Sequence, residues 1–146
     1  MLTYTKGNIF NSEMETLVNP VNVKGVMGAG LAKQFKTHFG NEYFKEYVHD
    51  CSLGNLSIGN LSVYYEDEVP KVLNFPTKID WRDSSEINYI ESGLKWIREN
   101  YKEYHIKSLA IPPLGCGLGG LSKSKIIPII ERTLRDLDDL DIEIYI

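Results

Sequence analysis

The chain has 146 residues, of which 42% are hydrophobic and 25% are charged, and its formal net charge is −4 at pH 7. This length predicts one domain spanning residues 1–146, and the composition is that of an ordinary globular protein. The negative net charge disfavours a broad, non-specific grip on a nucleic acid backbone, although it is compatible with a local site for a nucleic acid end.

The sequence also disfavours metal sites and membrane segments. No apolar run approaches the ~20 residues needed to span a bilayer, and the N-terminal residues lack the apolar core of a signal peptide. The two cysteines and three histidines are scattered, without the spacing of metal ligands. We therefore expect a cytoplasmic monomer with no bound metal and no membrane contact.

Hydrophobic periodicity divides the chain into alternating strands and helices. Strands are predicted at residues 2–5, 16–20, 61–65, 71–75, 106–111 and 141–146. Helices are predicted after the first glycine-rich loop and at residues 42–51, 87–101 and 122–136. Pro128 should kink the last helix or mark a late start, and Asp83 with Glu86 forms a capping-box signal before the third. The alternation predicts an α/β fold, a three-layer α/β/α sandwich around a central mixed sheet.

Two glycine-rich loops carry the functional signal. The first has glycines at positions 25, 28 and 30, the second spans Gly115 to Gly120, and each joins a strand to a helix. Such junctions present free backbone N–H groups and the positive end of a helix dipole, which suit a phosphate. Either loop alone is more often a plain chain reversal. Because both fall beyond the carboxyl ends of strands, together they predict a diphosphate held between them.

Five segments resemble, in order, the motifs of the macrodomain family of ADP-ribose-binding modules. They are 7–9 (GNI), 19–22 (NPVN), 25–32 (GVMGAGLA), 74–78 (NFPTK) with Trp81 and Arg82, and 112–121 (PPLGCGLGGL). Within this family the sequence is similar to the DarG-type branch of DNA ADP-ribosylglycohydrolase antitoxins, which is related to the terminal ADP-ribose protein glycohydrolase. The resemblance covers the whole chain and implies a macrodomain fold, ADP-ribose as the ligand and no cofactor.

The resemblance assigns substrate-binding residues to each part of the ligand. Asn8, with Ile9, would form the adenine site, since its amide can both accept from the amino group and donate to a ring nitrogen. The alternative is that Asn8 only stabilises a turn, as asparagines commonly do. The glycine loops would hold the pyrophosphate, and the second loop would also face the distal ribose. The implied residues are Gly25, Met27, Gly28, Ala29, Gly30, Thr77, Gly115, Cys116, Gly117, Leu118 and Gly119. Cys116 serves here as a small loop residue, because no histidine lies near it in sequence to activate a thiol nucleophile.

Lys78 carries the enzymatic prediction. Most lysines are solvated surface groups, but this one follows an apolar strand and precedes Trp81, and a partly desolvated lysine can act as a base or nucleophile. In the resembling enzymes the matching lysine acts at the anomeric carbon of the distal ribose, and the asparagine matching Asn22 hydrogen-bonds the ribose hydroxyls. Trp81 and Arg82 would stack on and steer a linked nucleobase; the alternative for Trp81 is a packed lid.

One departure from the family bears on the substrate. The protein-directed relative carries an aspartate in its second loop, where this chain has Gly119, so only Asp80 and Asp83 are nearby candidates for an acidic partner. We therefore expect a hydrolase that removes ADP-ribose from a nucleobase, most simply thymidine in single-stranded DNA, with an antitoxin-like role. The alternatives are an ADP-ribose 1″-phosphate phosphatase or O-acetyl-ADP-ribose deacetylase, and a non-catalytic module that binds ADP-ribose or a signalling nucleotide.

Overall fold

The computed structural model describes all 146 residues and is built on one six-stranded sheet in the order β1-β6-β5-β2-β4-β3. The strands are β1 (Leu2–Thr5), β2 (Thr16–Asn22), β3 (Ser62–Glu66), β4 (Val69–Lys78), β5 (Ser108–Ile111) and β6 (Asp141–Tyr145). Only the β3–β4 pair is antiparallel. The predicted mixed sheet is confirmed, and the carboxyl ends of β2, β4 and β5 meet at one edge.

Four helices cover the two faces of the sheet in pairs. They are α1 (Gly30–Phe39), α2 (Asn41–Ser52), α3 (Ile87–Asn100) and α4 (Lys123–Leu134), and α4 continues through Pro128. One core is formed where α1 and α2 bury Phe35 and Tyr43. The other forms where α3 and α4 bury Leu94 and Ile130. These two cores confirm the three-layer α/β/α sandwich. No helix combines the length and apolar character needed to cross a membrane.

Two of the strands that end at this edge, β2 and β4, are longer than their apolar patterns predict. β2 runs to Asn22 rather than residue 20, and β4 runs from Val69 to Lys78 rather than over residues 71–75. The two strands pair in parallel along this length, with a register shift between Val21 and Asn22. Backbone pairing thus continues past the last apolar side chains and carries polar residues to the sheet edge.

The predicted capping box at Asp83 is wrong. Helix α3 begins at Ile87, with Glu86 at the N-cap position and no capping hydrogen bond from its side chain. The Glu86 carboxylate instead accepts a hydrogen bond from the Tyr89 hydroxyl at 2.6 Å, and the Asp83 N–H closes a turn onto the Asp80 carbonyl. Residues 79–86 therefore form a loop of their own between β4 and α3.

Candidate functional site

A cleft of about 940 Å³ opens between the two glycine loops at the carboxyl ends of β2, β4 and β5. It brings together most of the residues selected from the sequence. These are Asn22, Gly28, Ala29, Gly30, Thr77, Lys78, Trp81, Gly115, Cys116, Gly117, Leu118 and Gly119. Residues from three strand ends thus converge on one concave site, the usual place for a ligand in such a sheet.

A smaller cavity of about 440 Å³ contains Asn8 and Ile9. Leu31, Pro112 and Pro113 line both cavities, so the two share a wall. The Asn8 side-chain oxygen accepts a hydrogen bond from the Phe10 N–H at 3.0 Å, which is the turn role expected of an asparagine. The predicted adenine residues therefore lie in a cavity of their own that adjoins the cleft.

Asn22, the last residue of β2, fixes the start of the first glycine loop. Its Oδ1 accepts hydrogen bonds from the Lys24 N–H at 3.0 Å and the Tyr47 hydroxyl at 3.1 Å, and its Nδ2 donates to the Val26 carbonyl at 2.7 Å. The side chain is only 8% exposed, yet it lines the cleft. An amide has two N–H groups, so one donor remains for a ligand.

Two tyrosines of α2 support this loop and the strands beneath it, and the sequence placed them only within the helix predicted at residues 42–51. The Tyr47 hydroxyl donates to the Asn22 carbonyl at 2.8 Å. The Tyr43 hydroxyl accepts from Asn19 at 2.7 Å and donates to Asn74 at 2.6 Å. Burial raises the pKa of both phenols, so both remain neutral donors. Their i,i+4 spacing predicts one shared helix face but gives no indication of the backbone groups they reach.

Gly25 and Met27 line neither cavity. Met27 is 3% exposed and belongs to the core beneath α2. Gly25 has a φ of 83°, in the left-handed region that favours glycine, and it faces Val48. These two residues shape the loop and do not line the cavities, and their contact with a ligand stays a prediction.

The helices that follow the two loops begin without side-chain caps. Neither Ala29, at the N-cap of α1, nor Ser122, at that of α4, makes a capping hydrogen bond, and neither first turn holds an acidic residue. Their first N–H groups and dipoles are thus available to an anion. Lys123 in the first turn of α4 also lines the cleft, although the sequence analysis did not select it. A cation at a helix N-terminus opposes the helix dipole, so the lysine at the start of the predicted helix is the sequence feature that could have indicated a role for Lys123.

The second glycine loop accepts only glycine at position 119. A Cβ there would lie 2.4 Å from both the Gly115 carbonyl oxygen and Ser85 Oγ. The Ser85 N–H also donates to the Gly119 carbonyl at 3.0 Å, which pins the loop to residues 79–86. Packing therefore accounts for the absence of an aspartate at this position.

Two further residues of this loop face the cleft in different ways. Leu118 is 73% exposed, and its Cδ1 would lie 3.5 Å from a Cβ placed on Gly30, so it reaches across to the first loop. Burial raises the pKa of the Cys116 thiol, which favours the neutral form over a nucleophilic thiolate. Cys116 thus fits the role of a small loop residue.

Lys78 ends β4 directly opposite Asn22 in the sheet register. Its Nζ donates to the Trp81 carbonyl at 3.3 Å, and it forms no ion pair with a carboxylate. The Trp81 side chain is 53% exposed at the rim, with the Arg82 guanidinium 5.3 Å from its ring centre. This exposure favours an available stacking surface over a packed lid.

The comparison with protein families identifies this arrangement. The family model described as Macro domain matches residues 18–130. The chain belongs to the macrodomain family. The macrodomain is 38% identical over 148 residues to a DNA ADP-ribosyl glycohydrolase of Thermus aquaticus and 39% identical over 148 residues to one of Mycobacterium tuberculosis. These alignments cover 99% of this chain but 41% and 42% of the relatives, so the chain spans about two-fifths of their length.

Solved structures agree with this assignment. The macrodomain of M. tuberculosis DarG superposes with a TM-score of 0.92 at 39% identity, covering 99% of this chain and 97% of that one. Thermosipho africanus DarTG, solved in complex with ADP-ribose, gives a TM-score of 0.89 at 40% identity and covers 99% of this chain and 41% of that chain. The macrodomain fold and the resemblance to the DarG branch are confirmed.

Proposed function

We propose that this macrodomain is an ADP-ribosyl hydrolase that removes ADP-ribose from a nucleobase, namely the base of thymidine in single-stranded DNA. The observation that carries the proposal is the position of Lys78, an amine without a carboxylate partner that lines the cleft opposite Asn22. Support comes from relatives named DNA ADP-ribosyl glycohydrolases and from the T. africanus protein solved with ADP-ribose. By the same relationship, the chain would counter a DNA ADP-ribosyl transferase, as an antitoxin does.

The two cavities provide a place for each part of ADP-ribose. Adenine would occupy the smaller cavity beside Asn8 and Ile9, and the diphosphate would lie between the glycine loops, near the uncapped first turns of α1 and α4. Backbone donors of this kind meet the negative charge without a positively charged protein. The distal ribose then lies at the floor, within reach of Asn22 and Lys78.

Lys78 would supply the chemistry at the anomeric carbon of that ribose. Its neutral amine forms a bond to this carbon as the bond to the base nitrogen breaks. The bond from the same carbon to the ring oxygen then breaks, the ring oxygen takes up a proton from solvent to become a hydroxyl, and a carbon–nitrogen double bond to Lys78 forms. The departing base takes up a proton, and water hydrolyses the resulting protonated imine to ADP-ribose and the free amine. Asn22 holds the ribose hydroxyls, while the remote adenine and diphosphate contacts place the carbon for attack.

The test compares Lys78→Ala with Lys123→Ala, a matched change of the other cleft-lining lysine. Each protein is incubated with an ADP-ribosylated thymidine oligonucleotide, an ADP-ribosylated protein and ADP-ribose 1″-phosphate. We expect ADP-ribose release from the DNA alone, with kcat about 10²–10⁴-fold lower in Lys78→Ala. Lys123→Ala should raise KM and leave kcat nearly unchanged, because Lys123 contributes only charge. Reduction with cyanoborohydride during turnover should attach ADP-ribose to Lys78.

Other outcomes select the alternative functions. Phosphate release that is unaffected by Lys78→Ala would identify a phosphatase acting through positioned water. Tight ADP-ribose binding without turnover of any substrate would instead identify a binding module and refute both enzymatic functions. Release from ADP-ribosylated protein at a rate equal to that from DNA would refute the nucleobase preference.

A further inference from the structure

The peptide group between Trp81 and Arg82 lies between two side chains of opposite charge. Its N–H donates to Asp80 Oδ1 at 2.9 Å, and its C=O accepts from Lys78 Nζ at 3.3 Å. The carboxylate and the lysine amine therefore contact opposite ends of one peptide group, and they form no ion pair with each other. A carboxylate on the N–H side polarises the peptide and strengthens its carbonyl as an acceptor.

The rest of the Asp80 carboxylate is occupied by the Arg82 side chain. Arg82 Nε donates to Oδ1 at 2.9 Å, and a terminal guanidinium nitrogen donates to Oδ2 at 2.8 Å. These hydrogen bonds hold the pKa of the Asp80 carboxyl well below its usual range, so this group is a poor proton acceptor. Asp80 therefore does not fit the role of acid or base partner that its place in the sequence suggested.

Backbone contacts hold this turn against the sheet. The Val23 N–H donates to the Ile79 carbonyl at 3.3 Å, and the Asp83 N–H donates to the Asp80 carbonyl at 3.0 Å. Other charged groups lie around this turn: Lys24 is close enough to Asp80, and Asp83 close enough to Arg82, to stabilise their charges, and Lys123 lines the cleft. Asp80 is the carboxylate that is hydrogen-bonded to the same peptide group as Lys78, so it is the one that could pair with the lysine if Arg82 released it.

We propose that Asp80 and Arg82 are positioning residues for Lys78. Their paired side chains fix the 81–82 peptide, so that the amine meets a carbonyl, and they keep the Asp80 carboxylate away from the amine. A carbonyl accepts a hydrogen bond from a lysine in either protonation state, whereas a neighbouring carboxylate favours the ammonium form, which is no nucleophile. The proposal rests on the proposed role of Lys78 as the reacting group.

The decisive variants are Arg82→Gln, which frees the carboxylate, and Asp80→Asn/Arg82→Gln, which also removes its charge. Arg98→Gln is the control, because Arg98 of α3 also forms a two-pronged pair with a carboxylate, its two terminal nitrogens donating to Asp136 at 2.6 and 2.8 Å. The first readout is the acetylation rate of Lys78 in the ligand-free protein by the N-hydroxysuccinimide ester of acetate, followed by peptide mass spectrometry. The second is kcat for release of ADP-ribose from the ADP-ribosylated thymidine oligonucleotide.

We expect Arg82→Gln to slow both Lys78 acetylation and kcat by about 3- to 10-fold, because the freed Asp80 carboxylate can pair with the amine. The double variant should return acetylation to within about 2-fold of wild type and raise kcat above that of Arg82→Gln. Two substitutions that only damaged the structure would instead lower both rates further. Arg98→Gln should change neither rate. Wild-type acetylation in Arg82→Gln, or no recovery in the double variant, overturns the positioning role. The expected acetylation pattern in a protein that releases no ADP-ribose would support positioning and refute the proposed function.

Discussion

Alanine at position 119 should destabilise the protein, whereas alanine at position 117 should not. Neither Gly117 nor Gly119 has a left-handed backbone, so the two substitutions differ mainly in what the new methyl group meets. At 119 it would lie 2.4 Å from the Gly115 oxygen and from Ser85 Oγ, about 1 Å short of van der Waals contact. At 117 no heavy atom lies within 4 Å.

The magnitudes follow from that contrast. Overpacking of a tightly packed site costs about 1–3 kcal/mol, and the Gly115 oxygen is a backbone atom that cannot rotate away. Replacing a glycine by alanine at an unstrained position stabilises by about 0.4–1 kcal/mol through the unfolded chain. Because this gain is common to both variants, it cancels between them, and we therefore expect their free energies of unfolding to differ by about 1–3 kcal/mol.

Urea denaturation, monitored by two spectroscopic probes, measures this difference directly. Equal m-values would show that both variants unfold from similarly compact states. Free energies of unfolding that agree within about 0.5 kcal/mol would refute the packing explanation for glycine at 119, since a difference of that size is no larger than the scatter between independent substitutions.

Three further predictions concern a tyrosine that supports the cleft, a glycine packed against the sheet, and the ion pair of Asp136. Tyr47→Phe removes the hydrogen bond to the buried Asn22 carbonyl and should cost about 1–3 kcal/mol in urea unfolding, with weaker ADP-ribose binding by calorimetry. Gly93→Ala should destabilise by about 1–3 kcal/mol despite the helix preference of alanine, because its Cβ would lie 2.2 Å from the Phe75 ring; an unchanged urea midpoint would contradict this. The arginine beside Asp136 lowers the pKa of that carboxyl, so its contribution to stability is present above about pH 4 and is lost as the pH falls through the lowered value. The unfolding free energy of Asp136→Asn should accordingly vary less between about pH 4 and pH 2 than that of wild type.

The glycine loops and the fold were predictable because their signals are local. Loop glycines between a strand and a helix and a 3–4 spacing of apolar residues are properties of adjacent residues. The apolar pattern predicted ends for β2 and β4 that are too early, since Asn22 and Lys78 are polar and continue their strands only through backbone pairing with a neighbour. The spacing of Asp83 and Glu86 likewise predicted a capping box that Glu86 does not form.

The contacts that hold the site together come from residues distant in sequence. Tyr47 reaches the Asn22 carbonyl from α2, and Ser85 reaches Gly119 from the loop after β4. Nothing in the pattern around a tyrosine or serine specifies such a partner, because the partner depends on how the helix or loop packs. Lys123 was overlooked for a different reason: a single lysine at a helix start has many surface explanations.

The direct register between Asn22 and Lys78 separates two tasks within this protein. The residue proposed to hold the ribose and the residue proposed to react with it lie on adjacent, hydrogen-bonded strands of a buried sheet, so the spacing of their backbones is set by the sheet. The rim above them, formed by Trp81 and Leu118, is exposed. Side-chain substitutions at the rim can therefore alter which departing group is accepted without changing the spacing of the two strand positions. Such an arrangement allows related enzymes to diverge in substrate while retaining one reaction centre.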